Sequence, residues 1–215
     1  MKDIEYEEQY DLDLLRKMAL KAREVSLQML RDRGYKVSSD YTKVKTVLPS
    51  AKDLYIQGSL AADAISVQGE SDSLGSIGVF WSLEDKVRTE MVRSLILEMD
   101  KLKLTHAILI TPTDNYTSGT KKVLLDLIKS KKWKIETFEF SELQYNPIQH
   151  ELLPKYKILT KEEEKKLQEA YQLQDFQQLP ILRYDDIMSR YLGLSRNRIV
   201  QFIRPDKTIN YRLVW

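Results

Sequence analysis

Between residues 64 and 140, short apolar runs alternate with longer amphipathic runs, and this alternation restricts the possible folds more than any other feature of the chain. The apolar runs predict four strands, at residues 64–68, 77–81, 106–110 and 133–140. Amphipathic runs after the second and third strands predict helices that include residues 87–99 and 121–128. Strands that alternate with helices indicate an α/β domain, in which a mixed sheet carries helices on its faces.

Local signals refine these elements. An amphipathic helix is expected before the sheet, with Gly34 at its C-cap. The continuously apolar strand at 77–81 is expected near the centre of the sheet. Ser82-x-x-Asp85 resembles a capping arrangement, which predicts that the following helix begins there. Two further segments are expected to be irregular or to form a turn, residues 36–60 and 69–76.

The pattern changes near Pro147, and this change predicts a domain boundary. We expect an N-terminal domain of residues 1–143 and a C-terminal domain of residues 148–215. In the second domain, short strands at 198–204 and 209–214 flank a turn at Pro205-Asp206-Lys207 and predict a hairpin. This segment is expected to be a small α+β unit.

Helix signals in the C-terminal segment are local and specific. Thr160-x-x-Glu163 has the form of a capping box and opens a charged helix that runs to about Ala170. Asp185 or Asp186 is expected to cap a second, short helix. Gly193 then stands where a left-handed residue would end that helix.

The formal net charge of +2 hides an uneven distribution of charge. Residues 1–13 are acidic, residues 101–134 are rich in lysine, and the C-terminal segment is rich in arginine. The chain has no cysteine and only two histidines, so no disulfide scaffold, thiolate zinc site or cysteine nucleophile is expected. No apolar run reaches the roughly 20 residues of a membrane span, and the acidic start does not resemble a signal peptide, so we expect a soluble intracellular protein.

Two motifs resemble parts of metal-binding active sites. His150-Glu151-Leu152-Leu153 begins like the zinc-protease helix, but Pro154 stands where the second histidine is required, so that interpretation fails. Glu84-Asp85-Lys86 has the E-x-K form of a metal-dependent nuclease, and Asp63 precedes it. The simpler interpretation is that Asp85 favours the positive end of a helix dipole. A nuclease built on the N-terminal domain stays open as the alternative, while no metal and no cofactor is expected.

Ser118-Gly119-Thr120-Lys121 contains pieces of a phosphate-binding loop without the required spacing, so no nucleotide site is predicted. A helix that begins near Gly119 would direct backbone N–H groups outward beside Lys121 and Lys122, which suits the phosphates of a nucleic acid. Such contact would be indifferent to base sequence. Ordinary solvated lysines, or an independent DNA-binding factor, are the competing interpretations.

Aromatic residues lie among the arginines of the C-terminal segment, a composition that suits docking on a partner protein. The aromatic residues are Tyr184, Tyr191, Phe202 and Tyr211. They would equally fill the core of a small unit, and both interpretations can hold together.

Several motifs occur in order and resemble one family of proteins. They are His150-Glu-Leu-Leu-Pro-Lys155, Gln178-Leu179-Pro180, Tyr191-Leu192-Gly193-Leu194, Val200-Gln201-Phe202-Ile203-Arg204 and Asn210-Tyr211-Arg212. Together they resemble the C-terminal part of the fifth-largest common subunit of eukaryotic RNA polymerases, a part that also occurs alone as a small subunit of the archaeal enzyme. The N-terminal part agrees less densely: Asp32-Arg33-Gly34-Tyr35 closes the first helix as in the eukaryotic subunit, and residues 115–122 stand where the family carries an Asn-x-Thr-Pro-Ser-Ala loop.

The resemblance implies a non-catalytic subunit with two modules and no catalytic residue of its own. The first would be an α/β jaw domain, endonuclease-like in topology, beside downstream double-stranded DNA. The second would be an assembly domain on the largest subunit, in contact with the other subunits. The resemblance places the DNA-proximal residues at Thr117, Ser118, Gly119, Thr120, Lys121 and Lys122. It places the subunit interface at His150, Glu151, Leu153, Pro154, Lys155, Pro180, Tyr191, Gly193, Arg204, Tyr211 and Arg212.

Two departures from the family pattern bear on these expectations. The family's Thr-Pro-Ser-Ala is Thr117-Ser118-Gly119-Thr120 here, and its Asp-Pro before the Tyr-Leu-Gly-Leu motif is Asp185-Asp186. The divergence fits a distant or virus-encoded form. We expect the nucleus for a cellular form, and the host cytoplasm, viral factory or virion for a viral one, with no membrane partner.

Overall fold

Two units, Met1–Tyr145 and Asn146–Trp215, each contain one β-sheet. The structure is a computed structural model that describes residues 2–37, 67–71, 75–82, 84, 86–130 and 132–215. The strands of each sheet pair only with strands of the same unit, so each unit is described by itself.

The sheet of the first unit has five strands in the order β1-β2-β3-β4-β5. The strands are β1 Lys36–Val37, β2 Val67–Ser71, β3 Gly75–Trp81, β4 His106–Thr111 and β5 Lys134–Glu139. The β1–β2 and β2–β3 pairs are antiparallel, whereas β3–β4 and β4–β5 are parallel. The expected mixed sheet and the central position of the strand at 77–81 are confirmed.

Among the described residues of this unit, three α-helices accompany the sheet, α1 Lys2–Asp32, α2 Thr89–Lys101 and α3 Ser118–Ser130. The parallel strands are joined through α2 and α3, so both helices lie on one face of the sheet. Their apolar sides meet the buried side chains of that face. The buried members of this core are Val87, Val92, Leu95, Met99, Leu104, Ala107 and Leu109.

The start of α2 differs from the expectation. The helix begins at Thr89, with Arg88 in extended conformation at its N-cap, rather than at Ser82-x-x-Asp85. Val87 forms a parallel bridge with Tyr116 and its N–H donates to the Asn115 carbonyl at 3.0 Å, so this stretch is held extended by a distant segment. The Ser82 hydroxyl accepts from the Glu84 N–H at 3.2 Å, and Asp85 lies outside the described residues.

The expected turn at 69–76 is also wrong in extent. Val67–Ser71 and Gly75–Trp81 are paired strands, which leaves only residues 72–74 between them. Pairing with a neighbour overrides the low strand propensity of Gly69 and Gly75. Lys36–Val37 pairs with β2 and is likewise a strand, while the rest of 36–60 and residues 64–66 lie outside the described residues.

The sheet of the second unit has four strands in the order β6-β8-β9-β7. Its elements are β6 Lys155–Ile158, α4 Lys161–Tyr171, β7 Ile181–Leu182, α5 Ile187–Tyr191, β8 Ile199–Ile203 and β9 Ile209–Val214. The antiparallel β8–β9 hairpin confirms the expected one. Leu167 of α4 packs with Leu159, Ile199 and Leu213 in a buried cluster on one side of the sheet.

The helix signals of this unit are confirmed in detail. The Thr160 hydroxyl accepts from the Glu163 N–H at 3.3 Å, and the Glu163 carboxylate accepts from the Thr160 N–H at 3.0 Å. Asp186, rather than Asp185, caps α5 by accepting from the Met188 N–H at 2.9 Å. Gly193 follows this helix with a φ of 62°, the left-handed conformation that glycine adopts without strain.

A buried ion cluster fastens the end of α1 to the sheet. Arg33 Nη2 lies 2.7 Å from Glu136 Oε2, while His106 Nε2 and Lys134 Nζ lie 2.9 and 2.7 Å from Glu136 Oε1. His106 and Lys134 are paired across β4 and β5, and Glu136 is two residues further along β5, so all three share one face of the sheet. This face is opposite to the one that carries Ala107 and Leu109 with α2 and α3.

The backbone beyond α1 brings Arg33 to this position. Gly34 has a φ of 89°, and the Tyr35 N–H donates to the Leu30 carbonyl at 2.9 Å, which closes the helix and turns the chain back. The predicted C-cap at Gly34 is confirmed. Buried Tyr35 then places its hydroxyl 3.5 Å from His106 Nδ1.

Charge within the cluster sets its protonation. Burial alone raises the pKa of Glu136, but the hydrogen bond from His106 and the charges of Arg33 and Lys134 outweigh it and hold that pKa well below its ordinary value. Burial lowers the pKa of His106, and the charges of Lys134 and Arg33 add to this, against the opposing effect of Glu136. We therefore assign a neutral imidazole that donates through Nε2 to an ionised Glu136.

The substitution Glu136→Gln tests the contribution of this cluster. The substitution removes the negative charge that lies 2.7 Å from the Arg33 guanidinium, whose side chain is only 3% exposed. We expect the free energy of unfolding of the first unit to fall by about 3–5 kcal/mol. Urea unfolding followed by the fluorescence of Trp81 and Trp133, in a Trp215→Phe background, measures it.

Lys134→Gln is the matched control, since the Lys134 side chain is 48% exposed and its loss should cost only about 0–1 kcal/mol. Equal losses for the two variants would contradict the assigned role of Glu136.

The same cluster predicts that stability falls in acid. Both groups have folded pKa values below their ordinary ones, so the unfolded chain binds more protons and folding loses stability as the pH falls. The part due to His106 begins to be lost as the pH drops below 6.5, its ordinary pKa, and the part due to Glu136 as it drops below 4.5. In urea titrations, His106→Gln should flatten the pH dependence between about pH 7 and 5 and leave the steeper loss at lower pH. An unchanged slope between those values would show that His106 is not responsible.

Candidate nucleic-acid and subunit interfaces

The first turn of α3 carries the residues expected near DNA. Ser118, Gly119, Lys121 and Lys122 are exposed, and Thr117 is half-buried. The helix begins at Ser118, one residue before the expected start. The four exposed residues therefore form one small surface at the N-terminal end of the helix, which we call the α3 start.

Thr120 lies in a different environment from its neighbours. Its side chain is fully buried, and its hydroxyl donates to the Val87 carbonyl at 3.0 Å. Thr120 therefore lies behind the α3 start, and its side chain is not at the surface where a phosphate would bind.

Capping reduces the number of backbone donors that this helix offers. The Thr120 N–H donates to the Thr117 hydroxyl at 3.2 Å, and the Lys121 N–H donates to the Thr117 carbonyl at 3.0 Å. Of the first four N–H groups of the helix, those of Ser118 and Gly119 remain without an intrahelical partner. The sequence predicted free backbone N–H groups beside Lys121 and Lys122, and two N–H groups, those of Ser118 and Gly119, are left to fill that role.

The lysine-rich stretch is less uniform than its sequence indicates. Lys101 pairs with Glu98 at 3.0 Å, Lys132 with Asp100 at 3.6 Å, and Lys134 with Glu136 at 2.7 Å. These pairs cancel part of the positive charge between residues 101 and 134. Lys121 and Lys122 are both exposed and adjacent in sequence near the start of α3. This turn is therefore the best candidate for contact with phosphates.

The residues proposed for a nuclease do not form a site within the part of the chain that is described. Glu84 and Lys86 are exposed, while Asp63 and Asp85 lie outside the described residues. Among the described side chains, no group of three or more histidine, aspartate and glutamate residues is placed to hold a metal ion.

The residues expected at a subunit interface divide by exposure. The exposed ones are His150, Glu151, Lys155, Pro180, Arg204 and Arg212, and the half-buried ones are Leu153, Pro154, Gly193 and Tyr211. Tyr191 is fully buried and belongs to the core of the second unit. The Tyr191 side chain is therefore not exposed in the isolated chain, and its place at a subunit interface stays a prediction.

Exposed apolar side chains lie at the end of the β8–β9 hairpin. Ile203 and Ile209 are opposite each other, Lys155 of β6 is opposite Ile203, and Arg204 follows. Ile203 is 37% exposed and Ile209 is 46% exposed. Paired residues of neighbouring strands project from the same face, so the three form one row beyond the buried Ile199 and Leu213. We call Lys155, Ile203, Arg204 and Ile209 the hairpin patch.

Sequence reasoning missed the two isoleucines. Their signal was present, because each stands beside the turn at Pro205-Asp206-Lys207, where a hairpin extends beyond the core. Elsewhere in the second unit, two arginines lie over aromatic rings, which again combines positive charge with apolar surface. The guanidinium of Arg212 lies 5.9 Å from the centre of the Phe202 ring, and that of Arg196 lies 5.1 Å from the centre of the Tyr184 ring.

The His150-Glu-Leu-Leu-Pro motif forms a turn rather than a helix. The Leu153 N–H donates to the His150 carbonyl at 2.9 Å, and the Leu152 N–H donates to His150 Nδ1 at 3.2 Å. Leu152 is left 85% exposed at the tip. This geometry agrees with the rejection of the zinc-protease motif, which needs a helix.

Among the described helices, none is long and apolar enough to cross a membrane. The described surfaces are of two kinds, a positively charged helix start in the first unit and an apolar and basic hairpin in the second. Together they define a two-domain α/β protein with one candidate surface for polyanions and one for a protein partner.

Comparison with known proteins identifies the family. Residues 145–215 match the family described as "RNA polymerase Rpb5, C-terminal domain", and residues 16–99 match "RNA polymerase Rpb5, N-terminal domain". Similar proteins include "DNA-directed RNA polymerases I, II, and III subunit RPABC1" of Caenorhabditis elegans, 31% identical over 89% of this chain and 93% of that protein. The corresponding rpabc1 subunit of Dictyostelium discoideum is 31% identical over 90% of this chain and 95% of its own length. An Arabidopsis thaliana protein, "DNA-directed RNA polymerase subunit 5-like protein 1", is 30% identical over 87% of this chain and 89% of its own. The chain belongs to the Rpb5 family of RNA polymerase subunits.

Proposed function

We propose that the chain is a non-catalytic subunit of a multisubunit DNA-directed RNA polymerase and acts in transcription. The observation that carries this proposal is the match to both domains of the family, together with 31% identity over 93% of a relative named as a subunit of RNA polymerases I, II and III. The partners are then the other subunits of such an enzyme, and nucleotide addition takes place in other chains. The proposed location is the nucleus for a cellular form, and the host cytoplasm, viral factory or virion for a viral one.

The two domains have separate roles in this proposal. Residues 148–215 form the assembly domain, which docks on the largest subunit, and the hairpin patch supports this with exposed isoleucines beside Lys155 and Arg204. Apolar groups beside arginine are typical of protein interfaces. Residues 1–143 form the jaw domain, of endonuclease-like topology, which lies beside downstream double-stranded DNA.

The α3 start is the proposed contact with that DNA. Lys121 and Lys122, both exposed, would neutralise phosphates, while the N–H groups of Ser118 and Gly119 would donate to phosphate oxygens. Contact of this kind positions a duplex and reads no bases. It therefore suits a jaw that supports DNA of any sequence as the duplex moves.

Replacement of the isoleucines by lysine tests the assembly surface. The double variant Ile203→Lys/Ile209→Lys removes the apolar contact, while both side chains are partly exposed and should tolerate the change in the free chain. With tagged protein purified from the native host, recovery of the polymerase large subunits should fall about tenfold or more.

Leu97→Lys is the matched control, because Leu97 is 63% exposed in the first unit and should leave recovery unchanged. Normal recovery with the double variant would refute the hairpin patch as the docking surface. Absence of polymerase subunits from the wild-type purification would refute the proposed function itself.

Salt dependence tests the DNA contact. We expect the isolated chain to bind duplex DNA weakly, with a Kd of about 10⁻⁴–10⁻⁶ M at physiological salt. In fluorescence anisotropy over a salt series, Lys121→Gln and Lys122→Gln should each lower the slope of log K against log salt by about 0.9 for one lost phosphate contact. Lys165→Gln removes another exposed lysine, from α4, and should leave the slope unchanged. Equal slopes for all the variants would contradict the proposed contact.

A further inference from the structure

Two threonine hydroxyls join the α3 start to the segment that precedes α2. We propose that Thr120 is a positioning residue whose buried hydroxyl, together with that of Thr117, fixes the α3 start for contact with phosphates. This inference rests on the proposed DNA contact, and it assigns a role to a side chain that does not itself reach the surface.

The direction of each hydrogen bond follows from proton counting. The Thr120 hydroxyl donates its one proton to the Val87 carbonyl at 3.0 Å. The Thr117 hydroxyl, 2.7 Å from the Thr120 hydroxyl, must then be the donor in that pair. Thr117 also accepts from the Thr120 N–H at 3.2 Å. The three bonds form a relay from the helix cap to the Val87 carbonyl in which each hydroxyl both donates and accepts.

Backbone hydrogen bonds join the same two segments as the relay. The Val87 N–H donates to the Asn115 carbonyl at 3.0 Å, and the Thr117 N–H donates to the Val87 carbonyl at 3.3 Å. These two bonds fix the chain that leads into α3 to Val87. The Thr120 side chain adds a bond from within the first turn of the helix to the same carbonyl. Val87 therefore holds both the lead-in and the first turn.

Burial makes these hydroxyls costly to lose. Val87 and Thr120 are both fully buried, so water does not replace a missing bond at this place. Gly119 lies close to Thr89, because a Cβ atom at Gly119 would lie 3.2 Å from Thr89 Oγ1. The backbone of the α3 start therefore packs against Val87 and Thr89, which lie on its buried side.

A fixed helix start lowers the entropy lost when a ligand binds. Lys121 and Lys122 follow Thr120 directly, so the backbone from which they extend is the one held by the relay. A variant without the relay would keep both charges and form the same phosphate contacts, but with lower affinity. Loss of positioning and loss of charge therefore have different signatures in a salt series.

The test uses Thr120→Val in the full chain, which keeps the shape of the side chain and removes the hydroxyl. Hydrogen exchange of the Thr120 and Lys121 amides should become about tenfold faster. Affinity for duplex DNA should fall by about threefold, with an unchanged slope of log K against log salt. Thr120→Ser keeps the hydroxyl and should restore both properties, while Thr105→Val removes an exposed hydroxyl as a control.

The outcomes separate this inference from the proposed DNA contact. Unchanged exchange in Thr120→Val would overturn the relay. Faster exchange with wild-type affinity, while Lys121→Gln still lowers the salt slope, would overturn the positioning role and leave the DNA contact standing. Equal salt slopes for the lysine variants would reject the DNA contact, and the role of Thr120 in it with them. Thr117→Val breaks the same relay from its half-buried side and gives the same decision if Thr120→Val does not fold.

Discussion

The ionised Glu136 is the group on which the arrangement of the first unit depends. The carboxylate meets Arg33 from the end of α1, His106 from β4 and Lys134 from its own strand. The 31-residue α1 buries apolar side chains that include Met29 and Leu30, and the ion pair beyond its end adds a directional contact to them. Because a largely buried carboxylate is costly to leave without its partners, these ion pairs favour this position of the helix end.

The two faces of this sheet contact different helices through different kinds of interaction. One face takes the end of α1 through the ion cluster, and the other takes α2 and α3 through an apolar core. The helices of the second face then present the α3 start at the surface. Its position depends on Val87, which belongs to the stretch before α2 and is held by residues that precede α3. The proposed DNA surface is therefore built from two distant segments, since Val87 and Thr120 are 33 residues apart in sequence.

Patterns contained within a few residues were predicted well. The capping box at Thr160, the glycine ends at Gly34 and Gly193, and the β8–β9 hairpin each depend on neighbours in the sequence, and the structure has all of them. The start of α2 was wrong because Tyr116, far along the chain, pairs with Val87 and keeps it extended. Tyr191, which the family resemblance places at the interface, is buried in the second unit, and composition alone left both a core and a docking role open for it.

The sequence by itself determined the alternation of strands and helices, the separation of acidic, lysine-rich and arginine-rich segments, and the motifs by which the family is recognised. These are properties of local order and composition, which periodicity and spacing preserve. Only the tertiary structure decided which charges are neutralised, since Arg33 and His106 reach Glu136 from distant positions in the chain. The same holds for Thr120, whose environment depends on Val87. These contacts join segments that are remote in the sequence, so no local pattern records them.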